Sequence, residues 1–387
     1  MSERVVNPSG RGFLLVDSHP TGCFESVARM RSEAGAARDV PADGPVALII
    51  GATAGYGLAA TVAGLARHGI RGVGLGFERP AGRRTATAGW YRAVAAGRLA
   101  RELGRDFTFV NGDAFAGSTK DETLDLIAKR FGGLDYLIYS VAAPRRTDPA
   151  GVTHQSVIKP LGAAHTTRTL EFDRDGTPAL REITVEPASA DEAAATVKVM
   201  GGEDWALWVA ALAERGLLRD GFQTVALSYI GSKLTSGIYR SGTIGAAKAH
   251  LEATAAELSE LPGVRALTSV NGAAVTQAST AIPGIALYVS LLREVLGDEL
   301  QSPVAQSIRL WEQLTGAAPF DLDEAGRLRL DRWELDPAVQ ARVAERWATG
   351  MGDVGWFRAQ FRALYGFDVP GVDYARPVEV ELPWPTT

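Results

Sequence analysis

The sequence predicts an α/β fold built on a doubly wound parallel sheet, with a small β-hairpin flap and added helices. Three observations predict it. Short apolar runs alternate with helical stretches across short connections, as strands joined by crossover helices do. The first run, Val46 to Ile50, is apolar at every position, as suits a strand buried on both faces. The turn after it, Gly51 to Gly57, carries three glycines and leads into a helical stretch.

Val46–Ile50 is bounded by Gly44-Pro45 and Gly51, which fixes its ends. Helix is expected over 56–68, strand over 73–77, helix over 88–103, strand over 107–110, helix over 119–131 and strand over 134–140. The alternation breaks after residue 144. The stretch 169–187 has two strand-like halves around Asp175-Gly176, a hairpin turn signal, and is read as a flap laid on the main sheet. Alternation resumes with helix 203–215, strand 222–229, helix 244–260, strand 264–270 and helix 284–297. Residues from about 300 to 387 read as helical and irregular. With no repeats and no Pro/Gly/Ser-rich linker, residues 1–387 are read as one elaborated domain. It has an extension at 1–44, an inserted flap region at about 145–200 and a helical extension at about 300–387.

Composition removes several function classes. At 46% hydrophobic and 22% charged residues the chain is ordinary globular material, and 387 residues can bury a large core. A net charge of −5 and the lack of a basic stripe give no footprint for nucleic acid. No apolar run reaches the roughly 18 residues a membrane span needs, and the N-terminus lacks the layout of a signal peptide. One cysteine, Cys23, excludes an internal disulfide and suits a reducing, cytoplasmic setting. The five histidines, at 19, 68, 154, 165 and 250, show no metal-ligand spacing, so no metal is expected, and His19 is read as structural.

Gly51, Gly55 and Gly57 form G-x-x-x-G-x-G between a buried strand and a helix. A dinucleotide needs such a turn: the chain must bend sharply, approach a pyrophosphate closely and aim helix N–H groups at it. Glu78 ends the second strand 21 residues after Gly57, where an acidic residue bonds the ribose hydroxyls of NAD and repels a 2′-phosphate. NADH is therefore the expected cofactor, although Arg79 stands next to Glu78. Asp113, ending the third strand, is placed to meet the adenine amino group. Ser140, Val141 and Ala142 end the fourth strand, with small residues at 140 and 142 where a cofactor must pass.

Two Tyr/Lys pairs compete for the chemistry. Tyr229 and Lys233 match the Y-x-x-x-K of ordinary short-chain dehydrogenases, in which both lie on one helix face. Here Tyr229 ends an apolar strand and Gly231 interrupts any helix; in strand geometry the two would lie about 13 Å apart. Tyr239 and Lys248 are nine residues apart, and nine steps of about 100° put them on opposite faces of one helix. They converge only if Tyr239 precedes the helix, and Arg240-Ser241-Gly242-Thr243 supplies a turn and a cap for that. Spacing alone leaves open whether they are a catalytic pair or a core aromatic and a solvated lysine.

Taken in order, these motifs resemble one family over nearly the whole chain: the trans-2-enoyl-CoA and trans-2-enoyl-acyl-carrier-protein reductases (the TER and FabV type). The resemblance is carried by RGF (11–13), HPTGC (19–23), IIGATAGYGLA (49–59), FERP (77–80), TAGWY (87–91), NGDAF (111–115), YSVAAPRRTDP (139–149), KPLG (159–162), VMGGEDW (199–205), SYIG (228–231), IYRSGTIGAAK (238–248), VTQASTAIP (275–283) and WELDP (333–337).

The resemblance implies a large, monomeric, Rossmann-type reductase of fatty-acid or related acyl-chain synthesis. It would use NADH to reduce the C2–C3 double bond of an enoyl-CoA or enoyl-acyl-carrier-protein. Carried over position by position, Tyr239 is the proton donor, Lys248 its cofactor-bound partner and Tyr229 a substrate contact. Cofactor contacts fall on Gly51, Ala52, Thr53, Ala54, Gly55 and Tyr56, on Phe77 and Glu78, on Asp113 and Ala114, on Val141 and Ala142, and on Ala274, Val275 and Thr276. The chain departs from the family at Ser236-Gly237, where Trp-Pro is common, at Gly245-Ala246-Ala247-Lys248, where G-K-A-K is common, and in its ELPWPTT tail. Loss of Trp-Pro is expected to leave room beside Tyr239 for a longer or branched acyl chain. The competing reading is a carbonyl reductase acting through Tyr229 and Lys233.

Overall fold

The computed structural model describes residues 3–11, 14–35, 43–172, 177–280 and 282–386. Seven parallel strands form the central sheet: β1 (Val46–Ile50), β2 (Arg71–Gly76), β3 (Phe107–Asn111), β4 (Leu134–Tyr139), β5 (Leu218–Ser228), β6 (Arg265–Val270) and β7 (Leu328–Arg329). Their order is β7-β6-β5-β4-β1-β2-β3. Strand sequence therefore reverses between β1 and β4, and a crevice opens there at the carboxyl ends of the strands.

Both faces of the sheet are covered, which explains the unbroken apolar run of β1. Ala47 and Ile49 pack into one cluster with α2 (Gly55–Ala63), α3 (Ala88–Glu102) and α9 (Pro303–Leu314). Val46, Leu48 and Ile50 pack into the other with α4 (Gly117–Phe131), α6 (Glu203–Glu214) and α7 (Thr243–Ser259). A third cluster gathers α8 (Ile285–Leu296), α10 (Pro337–Trp347) and α11 (Val354–Ala363) around Tyr288, Val343, Phe357 and Phe361.

Three differences from the sequence reading have physical causes. Helix α1 (Pro20–Ala34) has a thin apolar stripe, chiefly Pro20, Cys23 and Val27, which the sequence reading passed over. His19 caps it, Nδ1 accepting from the Gly22 N–H at 3.2 Å, which is the structural role expected of that residue. Helix α5 (Ala190–Met200) starts on a capping box of Ser189 and Glu192 that the sequence reading also missed. The flap is an antiparallel pair, His165–Phe172 with Pro178–Val185; the Asp175-Gly176 turn lies outside the described residues. It packs on α8 and α10, not on the main sheet: Leu170 is buried in the α8 cluster and Arg168 donates to the Trp347 carbonyl.

Candidate active site

The crevice widens into a cavity of about 540 Å³ between the ends of β1, β2, β4, β5 and β6 and helix α8. The glycine turn forms one wall, and its glycines are obligatory. Gly51 has φ +84°, and a Cβ on it would stand 2.0 Å from the Ser140 carbonyl oxygen. A Cβ on Gly57 would stand 2.1 Å from the Gly51 oxygen, and Gly55 has φ +53°. Helix α2 starts from Ala54, which has no side chain to cap it. Its first-turn N–H groups are thus left for an anion, and Gly55 at its start faces open space. These features fit a dinucleotide pyrophosphate.

Glu78 is held firmly, though its side chain is not part of the cavity lining. Thr53 Oγ1 donates to Oε1 at 2.6 Å and Thr87 Oγ1 to Oε2 at 2.5 Å. The Glu78 backbone exchanges two hydrogen bonds with the Asn111 amide, and Gly89 gives the carboxylate space, since a Cβ there would stand 1.9 Å from Oε1. Thr53, Phe77, Asp113 and Ala114 line the cavity. Asp113 Oδ1 accepts from the Phe115 N–H at 3.0 Å. The Ala114 carbonyl is pinned by Lys120 Nζ at 2.6 Å and the Trp208 indole at 3.2 Å, and Lys120 is itself paired with buried Asp204 at 2.7 Å.

At the other end, Tyr239 lies in the turn before α7, as convergence with Lys248 requires. Its carbonyl accepts from the N–H groups of Gly242 and Gly245 at 3.1 and 3.0 Å. Gly245 permits this tight entry, because a Cβ would stand 1.8 Å from the Arg240 oxygen. Lys248 follows in the second turn of α7, and both side chains line the cavity. Among the described residues neither the Tyr239 hydroxyl nor Lys248 Nζ has a hydrogen-bond partner. Burial pushes the Tyr239 phenol up and pulls the Lys248 ammonium down to about 8. Glu252, one turn from Lys248, is taken by Arg240 at 2.8 and 3.1 Å.

The competing pair does not meet. Lys233 is exposed and outside the cavity lining, and Gly231 has φ +77°, so residues 229–233 form no helix. Tyr229 lines the cavity, but its hydroxyl donates to Glu334 Oε1 at 2.9 Å.

Of the remaining expected contacts, Gly51, Ala54, Gly55 and Tyr56 line the cavity, as do Val141, Ala142, Ala274 and Thr276. Ala52 does not: it is fully buried beneath the turn. Val275 turns its side chain into the α8 cluster. The room expected at Ser236-Gly237 is not there. Neither residue lines the cavity, and a Cβ on Gly237 would stand 2.4 Å from His165 Cε1, so the flap's imidazole fills the place of a larger residue. Sequence reasoning missed two buried charged groups at the site, Arg92 and Glu334. Arg92 lines the cavity while donating to the Ala363 and Leu364 carbonyls at 3.1 and 2.7 Å. Both residues sit inside motifs quoted above or beside them, but charge in an apolar surrounding is visible only in three dimensions.

Residues 84–315 match the trans-2-enoyl-CoA reductase catalytic region, and residues 5–83 match the NAD(P)H binding domain of trans-2-enoyl-CoA reductase. Residues 322–378 match a model described as an enoyl reductase FAD binding domain. The residues there do not fit a flavin. Val343, Phe357, Phe361 and Phe367 are buried core, and the segment gives the cavity only Leu364. The chain is 67% identical to an enoyl-[acyl-carrier-protein] reductase [NADH] of Streptomyces avermitilis, over 98% of this chain and 100% of that one. It is 40% identical to a trans-2-enoyl-CoA reductase [NADH] of Ruminiclostridium cellulolyticum, over 98% of each. The crystal structure of Treponema denticola trans-2-enoyl-CoA reductase in complex with NAD superposes with a TM-score of 0.89 at 36% identity, over 98% of each chain.

Proposed function

The chain belongs to the trans-2-enoyl-CoA reductase family, NADH-dependent enzymes that reduce the C2–C3 double bond of enoyl thioesters, and we propose that Tyr239 and Lys248 carry that reaction here. One observation carries the assignment. The Tyr239 hydroxyl and the Lys248 ammonium face the same cavity as the glycine turn, and neither is spent on a protein partner among the described residues.

NADH, when bound, supplies the hydride that C3 receives. The pyrophosphate is held at the Gly51–Gly57 turn, and the exposed Phe77 ring, 75% accessible, offers an apolar face for the adenine to cover. Glu78, locked by Thr53 and Thr87, presents its charge at the adenosine end and disfavours a 2′-phosphate. Lys248 holds the nicotinamide ribose hydroxyls. The Tyr239 hydroxyl donates to the thioester oxygen, where negative charge develops as C3 is reduced. Burial opposes proton loss from that phenol, which keeps it a protonated donor. Water enters last to protonate C2. Ile282, Ile285, Val289 and Leu364 give the cavity an apolar stretch suited to the acyl chain.

We read residues 1–387 as one domain, supported by the pairing of β7 with β6 in the main sheet and of Glu3–Arg4 with Val378–Glu379. The reading as a cytoplasmic monomer rests on the resemblance and on a single, buried cysteine. Among the described residues no helix is long and apolar enough to cross a membrane.

The test compares two thioesters. NADH absorbance should fall with crotonyl-CoA or the crotonyl carrier-protein thioester and stay level with the acetoacetyl thioester. Turnover of the ketone alone would transfer the site to carbonyl reduction.

A further inference from the structure

Behind the Tyr239 side of the cavity lies a carboxyl group that the mechanism above does not use. Glu334 follows β7 and is 0% exposed. Oε1 is bonded to the hydroxyls of Tyr229 at 2.9 Å and Tyr288 at 2.8 Å, and Oε2 accepts the Ala273 N–H. The partners come from three different elements: Tyr229 follows β5, Ala273 follows β6, and Tyr288 is on α8, and of these Tyr229 and Ala273 line the cavity. Gln340 Nε2 closes the far side, donating to the Tyr288 oxygen at 3.0 Å and the Glu334 carbonyl at 2.7 Å.

Among the described residues no cation pairs with this carboxyl. The nearby guanidinium of Arg329 is committed to Asp331 at 2.8 and 2.7 Å and to Asp323 at 3.0 Å. A buried carboxyl without a cation is costly as an anion and comfortable as a neutral acid. The two states orient Tyr229 differently. The anion only accepts, so the Tyr229 O–H must point at it, away from the cavity. The acid can donate from Oε1 to the Tyr229 oxygen while still accepting from Tyr288 and Ala273. The Tyr229 O–H is then released into the cavity, beside Tyr239.

We propose that Glu334 is a positioning residue that, as a neutral acid, turns the Tyr229 hydroxyl toward the thioester oxygen and makes it a second donor beside Tyr239. This rests on the Tyr239/Lys248 reading above. Burial pushes the Glu334 carboxyl up to about 7, so its state changes near neutrality. The other titratable groups facing it are the phenols of Tyr56, Tyr229 and Tyr288, all pushed up by burial, and Asp331, which is paired with Arg329. The transition near 7 therefore belongs to Glu334.

The experiment is the pH profile of kcat with NADH and crotonyl thioester for four proteins. In the unmodified enzyme kcat should fall as pH rises through about 7. Glu334→Gln presents a permanent donor to Tyr229 and an acceptor to Ala273, so it should match the unmodified enzyme at pH 6 and lose the transition near 7, leaving only the later fall near 8 that Lys248 sets. At pH 8, one unit above the carboxyl's transition, it should be roughly tenfold faster, because about a tenth of the unmodified enzyme is then in the acid form. Tyr229→Phe should lose the transition too, and Tyr229→Phe with Glu334→Gln should equal Tyr229→Phe alone, since Glu334 acts through that hydroxyl. A Glu334→Gln profile that keeps the transition overturns the proposal, as does a flat profile in the unmodified enzyme. Tyr239→Phe separates the two readings. If it keeps near-normal turnover, the Tyr239 assignment itself fails; if it abolishes turnover while Glu334→Gln behaves like the unmodified enzyme, only the Glu334 proposal fails.

Discussion

The ring of Tyr229 stands edge-on to that of Tyr239, centroids 5.1 Å apart and planes inclined at 71°. Two tyrosines thus share one wall of the cavity, but they are not equivalent. Tyr229 has its hydroxyl in the Glu334 network, whereas the Tyr239 hydroxyl has no partner among the described residues. Tyr239→Phe removes only that hydroxyl. NADH binding, read by fluorescence titration, should survive, and kcat should drop by about two orders of magnitude. Tyr229→Phe should cost less. The reverse order of effects would mean that the roles are exchanged.

Cofactor choice should follow the Glu78 clamp. The carboxylate is fixed by two threonine hydroxyls and is not free to swing away from a 2′-phosphate. NADPH should therefore be a poor donor, and Glu78→Ala should raise kcat/KM with NADPH relative to NADH. Because Thr53 also lines the cavity, some loss with NADH is expected in the same variant. A strong preference for NADPH in the unmodified enzyme would instead put Arg79 in charge of this end.

Lys248 should set an alkaline limit. Burial pulls its pKa down to about 8, so the charged form, which the mechanism needs, is lost as pH rises through that value. The log of kcat/KM should bend downward there. Lys248→Arg stays charged, so the bend should vanish even if the plateau is lower, because a guanidinium does not deprotonate in this range. A bend near 8 that persists in Lys248→Arg would belong to another group; the separate Glu334 transition near 7 is untouched by this change.

How much of this was legible in the sequence depended on the range of the forces involved. The turn at Gly51 is local: a strand, three glycines and a helix lie within a few residues, and the fold obeys them. The convergence of Tyr239 and Lys248 was legible as a condition, since nine residues of helix would separate them and a turn would not. Glu334 was not legible, because its meaning comes from Tyr229, Tyr288 and Ala273, residues 105, 46 and 61 positions away. The same holds for His165 against Gly237, where a contact from the flap decides what a two-residue change in another loop does.

That contact leads to the last expectation, on acyl chain length. A Trp-Pro pair at 236–237 would meet the His165 ring, and these positions lie outside the cavity lining. Ser236→Trp with Gly237→Pro should therefore lower kcat/KM for C4 and C12 enoyl thioesters by similar factors, through displacement of the flap and the turn before Tyr239. The apolar stretch at Ile285 and Val289 behaves differently, because those side chains face the cavity from α8. Val289→Phe adds volume to a nearly fully buried position in a packed wall, where it can only push inward. It should reduce activity on C12 by roughly tenfold or more, equivalent to about 1.4 kcal/mol of lost transition-state binding, and leave C4 nearly unchanged. The measurement is kcat/KM over a series of even chain lengths for both variants. A C12-selective loss in the Ser236/Gly237 double variant, with none in Val289→Phe, would put the end of the acyl chain under the flap instead of against α8.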